Sequence, residues 1–86
     1  MTSKRSKLEI YLDVLKTIRK GTCKPTRIMY LTNLSWKPLM EVLDSLTAQD
    51  LIAMREHGDR KRYDITEKGS NVLGYMSKVM ETIKIE

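Results

Sequence analysis

The stretch "TRIMYLTNLSWKPLMEVLDSL", Thr26 to Leu46, decides the fold, because its two apolar segments are separated only by Thr32-Asn33-Leu34-Ser35. Pro25, just ahead of it, suits a first helical turn, where an amide has no intrahelical acceptor; Ile28, Met29 and Leu31 then supply apolar contacts over barely two turns. Asn33 tolerates the left-handed conformation that closes a helix, and Ser35 is a favoured N-cap for the next. That third helix is expected from about Trp36 to Ala48, with Leu39, Val42, Leu43 and Leu46 facing inward. Pro38 disfavours helical geometry in Lys37, so the cap falls at either Ser35 or Lys37. Two helices joined by three or four residues have the spacing of a helix-turn-helix.

Upstream of this corner, Ser6-Lys7-Leu8-Glu9 is an S-x-x-E capping box. A helix over about 7–20 follows, with Leu8, Tyr11, Leu12, Leu15 and Ile18 as its buried stripe, Lys16, Arg19 and Lys20 at its electronegative end and Gly21 as its stop. Thr22-Cys23-Lys24 leaves room for one extended link. Downstream, Leu51 to Arg55 and Lys61 to Ile65 read as two antiparallel strands. Tyr63 and Ile65 alternate with Arg62 and Asp64, and Gly58-Asp59 sits where a hairpin reverses. Thr66 caps a last helix, about Glu67 to Lys84, in which Gly69 permits close backbone packing. Within it Val72, Met76, Val79 and Ile83 recur at coiled-coil spacing, and Leu73 and Met80 widen the stripe.

Helix, short helix, turn, helix and basic hairpin is the element order of a winged helix-turn-helix. The expectation is therefore an α+β fold: three helices and a two-stranded basic wing over residues 1–66, then a C-terminal helix at 67–86. A single helix end enters the major groove at a defined angle only if other elements grip phosphates on either side.

Composition agrees with this reading. Eighty-six residues, 41% hydrophobic and 31% charged, make one soluble domain with a simple core, since a chain this size buries only about 60% of its unfolded surface. No run of about 18 apolar residues occurs, and Lys4-Arg5-Ser6-Lys7 leads into an amphipathic stretch instead of a signal core, which points to the cytoplasm and away from membranes. Cys23 is alone, so neither an internal disulfide nor a thiolate metal site is expected. One histidine, one cysteine and scattered acids give no nucleophile with its base, no metal triad and no glycine-rich phosphate loop; an enzyme, a cofactor and a metal are not expected. The net charge of +5 is segregated: residues 1–37 carry nine Lys or Arg against Glu9 and Asp13, whereas 38–54 carry only Glu41, Asp44 and Asp50. A polyanion is the natural partner of such a distribution.

Lys7-Leu8-Glu9-Ile10, Thr26-Arg27-Ile28-Met29-Tyr30, Asn33-Leu34-Ser35-Trp36 and Ile65-Thr66-Glu67-Lys68-Gly69, in this order, resemble the archaeal winged helix-turn-helix DNA-binding proteins of about ten kilodaltons, which include chromatin-associated proteins and predicted transcription regulators. The resemblance covers nearly the whole chain. It implies a homodimer joined through C-terminal dimerisation helices as an antiparallel coiled coil, presenting two winged units to double-stranded DNA. The chain departs from that pattern in three places. Its last helix of about 18 residues, roughly 27 Å long, is shorter than the rod of the chromatin-type members. Trp36 stands where the family often has tyrosine, and Lys37 is the only basic side chain of the third helix.

The reading that results is a homodimeric transcription regulator on double-stranded DNA, cytoplasmic in an archaeal cell, host-encoded or viral. Helix 36–48 would enter the major groove with Ser35, Trp36, Lys37 and Glu41, Lys24 and Arg27 would hold phosphates, and the wing at 55–62 would place Arg60, Lys61 and Arg62 on the adjacent groove or backbone. Val72, Leu73, Met76, Val79, Met80 and Ile83 would form the dimer interface. One alternative is an architectural protein that coats DNA without sequence preference. Another is a winged-helix module that binds protein, supported by Glu41, Asp44 and Asp50. Single residues also have plainer readings: Trp36 packing on its neighbours, Glu41 on a solvated face, His57 idle, Arg60-Lys61-Arg62 keeping a strand edge soluble, Cys23 as a small packing residue.

Overall fold

Ser6 has extended backbone (φ −69°, ψ 162°); its hydroxyl accepts from the Glu9 amide at 3.1 Å and its own amide donates to the Glu9 carboxylate at 2.7 Å. This reciprocal cap starts α1 (Lys7–Arg19), the first element of the computed structural model, which describes residues 5–83. Then come α2 (Pro25–Thr32), α3 (Trp36–Ala48), β1 (Ile52–His57), β2 (Arg60–Ile65) and α4 (Glu67–Thr82). Lys4 and Lys84, where the basic N-terminal segment and the last helix were expected to begin and end, lie outside the described residues.

The first three helices close by one device. Gly21, Asn33 and Asp50 each take positive φ, and the next amide reaches back across the last turn: Thr22 to Thr17 at 3.3 Å, Leu34 to Met29 at 3.2 Å, Leu51 to Leu46 at 3.0 Å. This satisfies helix-end carbonyls and reverses the chain in very few residues. Asn33 does so as expected; Asp50 does the same at the end of α3, its short polar side chain being tolerated in this region. The third helix begins at Trp36 with Ser35 as its cap. Pro38 is the third helical residue, ahead of the first intrahelical bond from Leu39 to Ser35 at 3.1 Å, so it forfeits no hydrogen bond.

The core takes Leu12, Val14, Leu15 and Ile18 from α1, Ile28 from α2, Leu39, Val42, Leu43 and Leu46 from α3, Leu51, Ile52 and Tyr63 from the hairpin and its approach, and Leu73 from α4. Three expected positions differ. Leu8 is 54% exposed and Val14 is wholly buried, because α1 packs against α2, α3, α4 and β2 at once and its covered face is broader than one stripe. On α2, Leu31 is 51% exposed while Thr32 is buried, its hydroxyl donating to the Ile28 carbonyl at 2.6 Å. Leu73, expected on an intermolecular stripe, is 0% exposed within the chain's own core, since the first half of α4 lies on the body.

The wing pairs antiparallel from Ile52↔Ile65 to His57↔Arg60, with Gly58 at φ 63° in its two-residue turn. Arg55 pairs diagonally with Asp64 across the strands. The outer edge of β2 is met by the extended link, where the Tyr63 amide donates to the Cys23 carbonyl at 2.9 Å.

Candidate nucleic-acid interface

Lys24 holds the N-cap position of α2 with extended backbone, and no side chain accepts from the first-turn amides. Pro25 has no amide to offer, so those of Thr26 and Arg27 face outward at the electropositive end of the helix, in a turn without an acidic residue. The bond from Tyr63 to Cys23 brings β2 alongside this open turn. Between them lies a groove of about 340 Å³ lined by Lys24, Pro25, Thr26, Arg60, Lys61 and Arg62. An adjoining depression is lined by Gly21, Thr22, Cys23, Lys24 and Arg27, so Lys24 joins the two.

Five of the cations expected to meet DNA thus share one continuous surface. Strand alternation predicts Lys61 opposite Arg60 and Arg62, yet all three line the groove. The groove opens along the edge of β2, and at an edge the side chains of both faces meet. Among the described residues the ion pairs are Arg5–Asp13 and Arg55–Asp64; Lys24, Arg27, Lys37, Arg60, Lys61 and Arg62 are in neither. Among the described residues no ion pair neutralises their charge.

Arg62 has a second contact that sequence reasoning missed. Its Nη1 donates to Cys23 Sγ at 3.6 Å, which leaves the side chain half-buried and ties the wing to the link before α2. No local signal joins residues 39 apart. Pro25 and Thr26, which also line the groove, were likewise not singled out as site residues; the absence of an acid from the turn after Lys24 is the sign that marks them.

The tip of α3 carries Ser35, whose hydroxyl makes no cap bond, with exposed Lys37 and with Trp36 48% exposed. These three do not line the groove. Glu41 lies with Lys37, Asp44 and Ala48 along one exposed face at spacings of four, three and four, a face with two acids and one base. Glu41 also borders a crevice between α1 and α3 lined by Lys7, Ile10, Tyr11, Pro38 and Val42. His57 is exposed beside the hairpin turn.

Along α4, Val72 and Met76 are half-buried against the chain's own core, whereas Val79, Met80 and Ile83 are exposed. Tyr75, not foreseen, is exposed and lines an apolar depression with Lys78, Val79, Thr82 and Ile83. Among the described residues no cluster of three or more His, Cys, Asp or Glu is placed to hold a metal ion, and no helix is long and apolar enough to cross a membrane.

A family model described as winged helix-turn-helix matches residues 4–84. The chain belongs to this family. Among relatives of this winged helix-turn-helix chain, the uncharacterized protein MJ0287 of Methanocaldococcus jannaschii is 28% identical over 78 residues, covering 91% of this chain and 76% of that protein. Sso10a-2, a DNA-binding protein from Sulfolobus solfataricus, is 26% identical with a TM-score of 0.70, over 95% of this chain and 100% of its own. The MarR family transcriptional regulator SPO1453 from Silicibacter pomeroyi shares the fold at 19% identity and a TM-score of 0.67; the match covers 85% of this chain but 56% of SPO1453, so this chain spans about half of that regulator.

Proposed function

We propose that this winged helix-turn-helix chain is a transcription regulator that binds double-stranded DNA as a homodimer. The observation that carries the reading is the unpaired cationic groove in which Lys24, beside the open first turn of α2, meets Arg60, Lys61 and Arg62 of the wing. Phosphate oxygens are the ligands suited to outward amides and unneutralised cations on one surface. Ser35, Trp36 and Lys37 at the tip of α3 would face the major groove, with Glu41 positioned to accept from a cytosine amino group. That Sso10a-2 is a DNA-binding protein and SPO1453 a transcriptional regulator supports the assignment. The pair would join through Val79, Met80, Ile83 and Tyr75 at the far end of α4, with Val72 and Met76 at the margin and Leu73 excluded by its burial.

A gel-shift titration across salt concentrations tests this. Engagement of about six cations gives a log-log slope near −5; no binding to any duplex, or binding indifferent to salt, overturns the reading.

One observation favours a second reading, an architectural protein. The outward face of α3 carries Glu41 and Asp44 against Lys37 alone, which leaves little for base-specific contact and puts the affinity in the phosphate groove. Affinity across many random duplexes separates the two, since a regulator prefers some site by about a thousandfold or more and a coating protein does not.

A further inference from the structure

Three consecutive carbonyls at the end of α3 are taken by the start of α4. Lys68 Nζ donates to the Gln49 carbonyl at 2.9 Å, Thr66 Oγ1 to that of Asp50 at 2.7 Å, and the Thr66 amide to that of Leu51 at 3.2 Å. The same Thr66 hydroxyl accepts from the Gly69 amide at 3.0 Å, so one oxygen closes α3 and opens α4. Gly69 brings the backbones together, since a Cβ there would stand 2.1 Å from the Leu51 carbonyl oxygen. Carbonyls at a helix end carry the negative pole of its dipole, so the Lys68 ammonium is held by charge as well as by its hydrogen bond. α4 packs on α1 and β2, and this junction ties its first turn directly to the end of α3.

We propose that Thr66 and Lys68 are positioning residues that fix the direction of α4 relative to α3, and through it the separation of the two α3 tips when two copies joined by α4 sit on one duplex. The inference rests on the dimeric DNA-binding reading above. The first half of α4 is docked through Leu73, so the lever is the projecting half: from Leu73 to Thr82 it spans about 14 Å, and a tilt of about 15° moves the far end by about 3.5 Å, close to one base-pair step. Each subunit contributes that error once. Two reading heads gain from being linked only while both seat together, so a loose junction spreads the pair over several separations and dilutes the gain at the best one.

The test uses the full chain and a pool of duplexes carrying two copies of the half-site that the wild type itself selects, at separations from about 5 to about 20 base pairs. The wild type should show one optimum that recurs a helical turn away. Lys68→Met, which keeps the aliphatic stem but loses the donor, and Thr66→Val should each flatten that profile, lowering the ratio between the best separation and one half a turn off by about tenfold while single half-site affinity stays within about twofold. Thr66→Ser should restore it. Lys68 is exposed, so Lys68→Met carries the test alone if Thr66→Val melts. Variants with the wild-type profile overturn the inference and leave the regulator standing, and a wild type that binds DNA with no preferred separation overturns it too. A wild type that binds no duplex removes the proposed function itself, before any variant is made.

Discussion

Arg60 and Arg62 differ by what each touches. Arg60 is exposed and lines only the groove, whereas Arg62 also donates to Cys23 and is half-buried. Arg60→Ala should weaken binding to every duplex and shallow the salt slope by about one, with an unchanged melting temperature. Arg62→Ala should do the same to the slope and also lower the melt, because the link loses its tie to the wing. Gly69→Ala is expected to cost about 3 kcal/mol in urea unfolding, since backbone and not a flexible side chain opposes the new methyl group. At Asn33, where φ is 58°, Gly should be near-neutral and Val should cost about 1–2 kcal/mol. The Asn33 signal was legible because backbone conformation is set within a few residues, whereas the sequence said of Gly69 only that it permits close packing and not that it meets Leu51, eighteen residues away. The bond from Arg62 to Cys23 was not legible, because it exists only once β2 has been laid beside the link.

At the scale of elements, caps were read more surely than burial. Ser6-x-x-Glu9 and Thr66 stand and bond where their helices begin, since a cap needs only its own next turn; Ser35, which the sequence left open against Lys37, holds the cap position of α3 without a side-chain bond. Leu8 and Leu31 fit the helical period equally well and are exposed; periodicity names a face, and only the tertiary arrangement says whether anything covers it. Two elements carry a pH dependence. The Ser6 amide, then the Ser6 hydroxyl, hold the Glu9 carboxyl below its usual range. A depressed carboxylate stabilises the fold fully above its unfolded pKa and loses that contribution as pH falls through the folded value. Thermal melts of the wild type and Glu9→Gln should therefore differ near neutrality and converge in acid. In the hairpin, Tyr63 is 2% exposed, and burial, with smaller effects from Asp44 and Glu56, raises its phenol above the ordinary tyrosine value. Its contribution is complete below the unfolded pKa and is lost as pH rises through the folded one, so alkaline unfolding should come later in Tyr63→Phe.

For the whole molecule, the element order was legible in the sequence, because hairpin and short helix each advertise their ends; the meeting of Lys24 with Arg60, Lys61 and Arg62 in one groove was not, since the sequence reading set α2 and the wing on either side of the α3 tip. The division of α4 into a docked half and a projecting half was not, since Leu73 and Met80 look alike on a helical wheel and only the extent of the body separates them. If the chain pairs as proposed, Val79→Lys should turn the sedimenting species into a monomer and leave the melt of the body unchanged, since Val79 is 47% exposed and outside the core. The tight closures at Gly21, Asn33 and Asp50 have a further effect. Among the described residues no connection between elements exceeds the five at 20–24, so although fourteen Lys and Arg there invite trypsin, few lie on slack chain that could thread a protease cleft. Within residues 5–83, digestion should begin after Lys78, once the overhanging end of α4 frays, and stall there, leaving a resistant fragment that still carries both faces of the cationic groove.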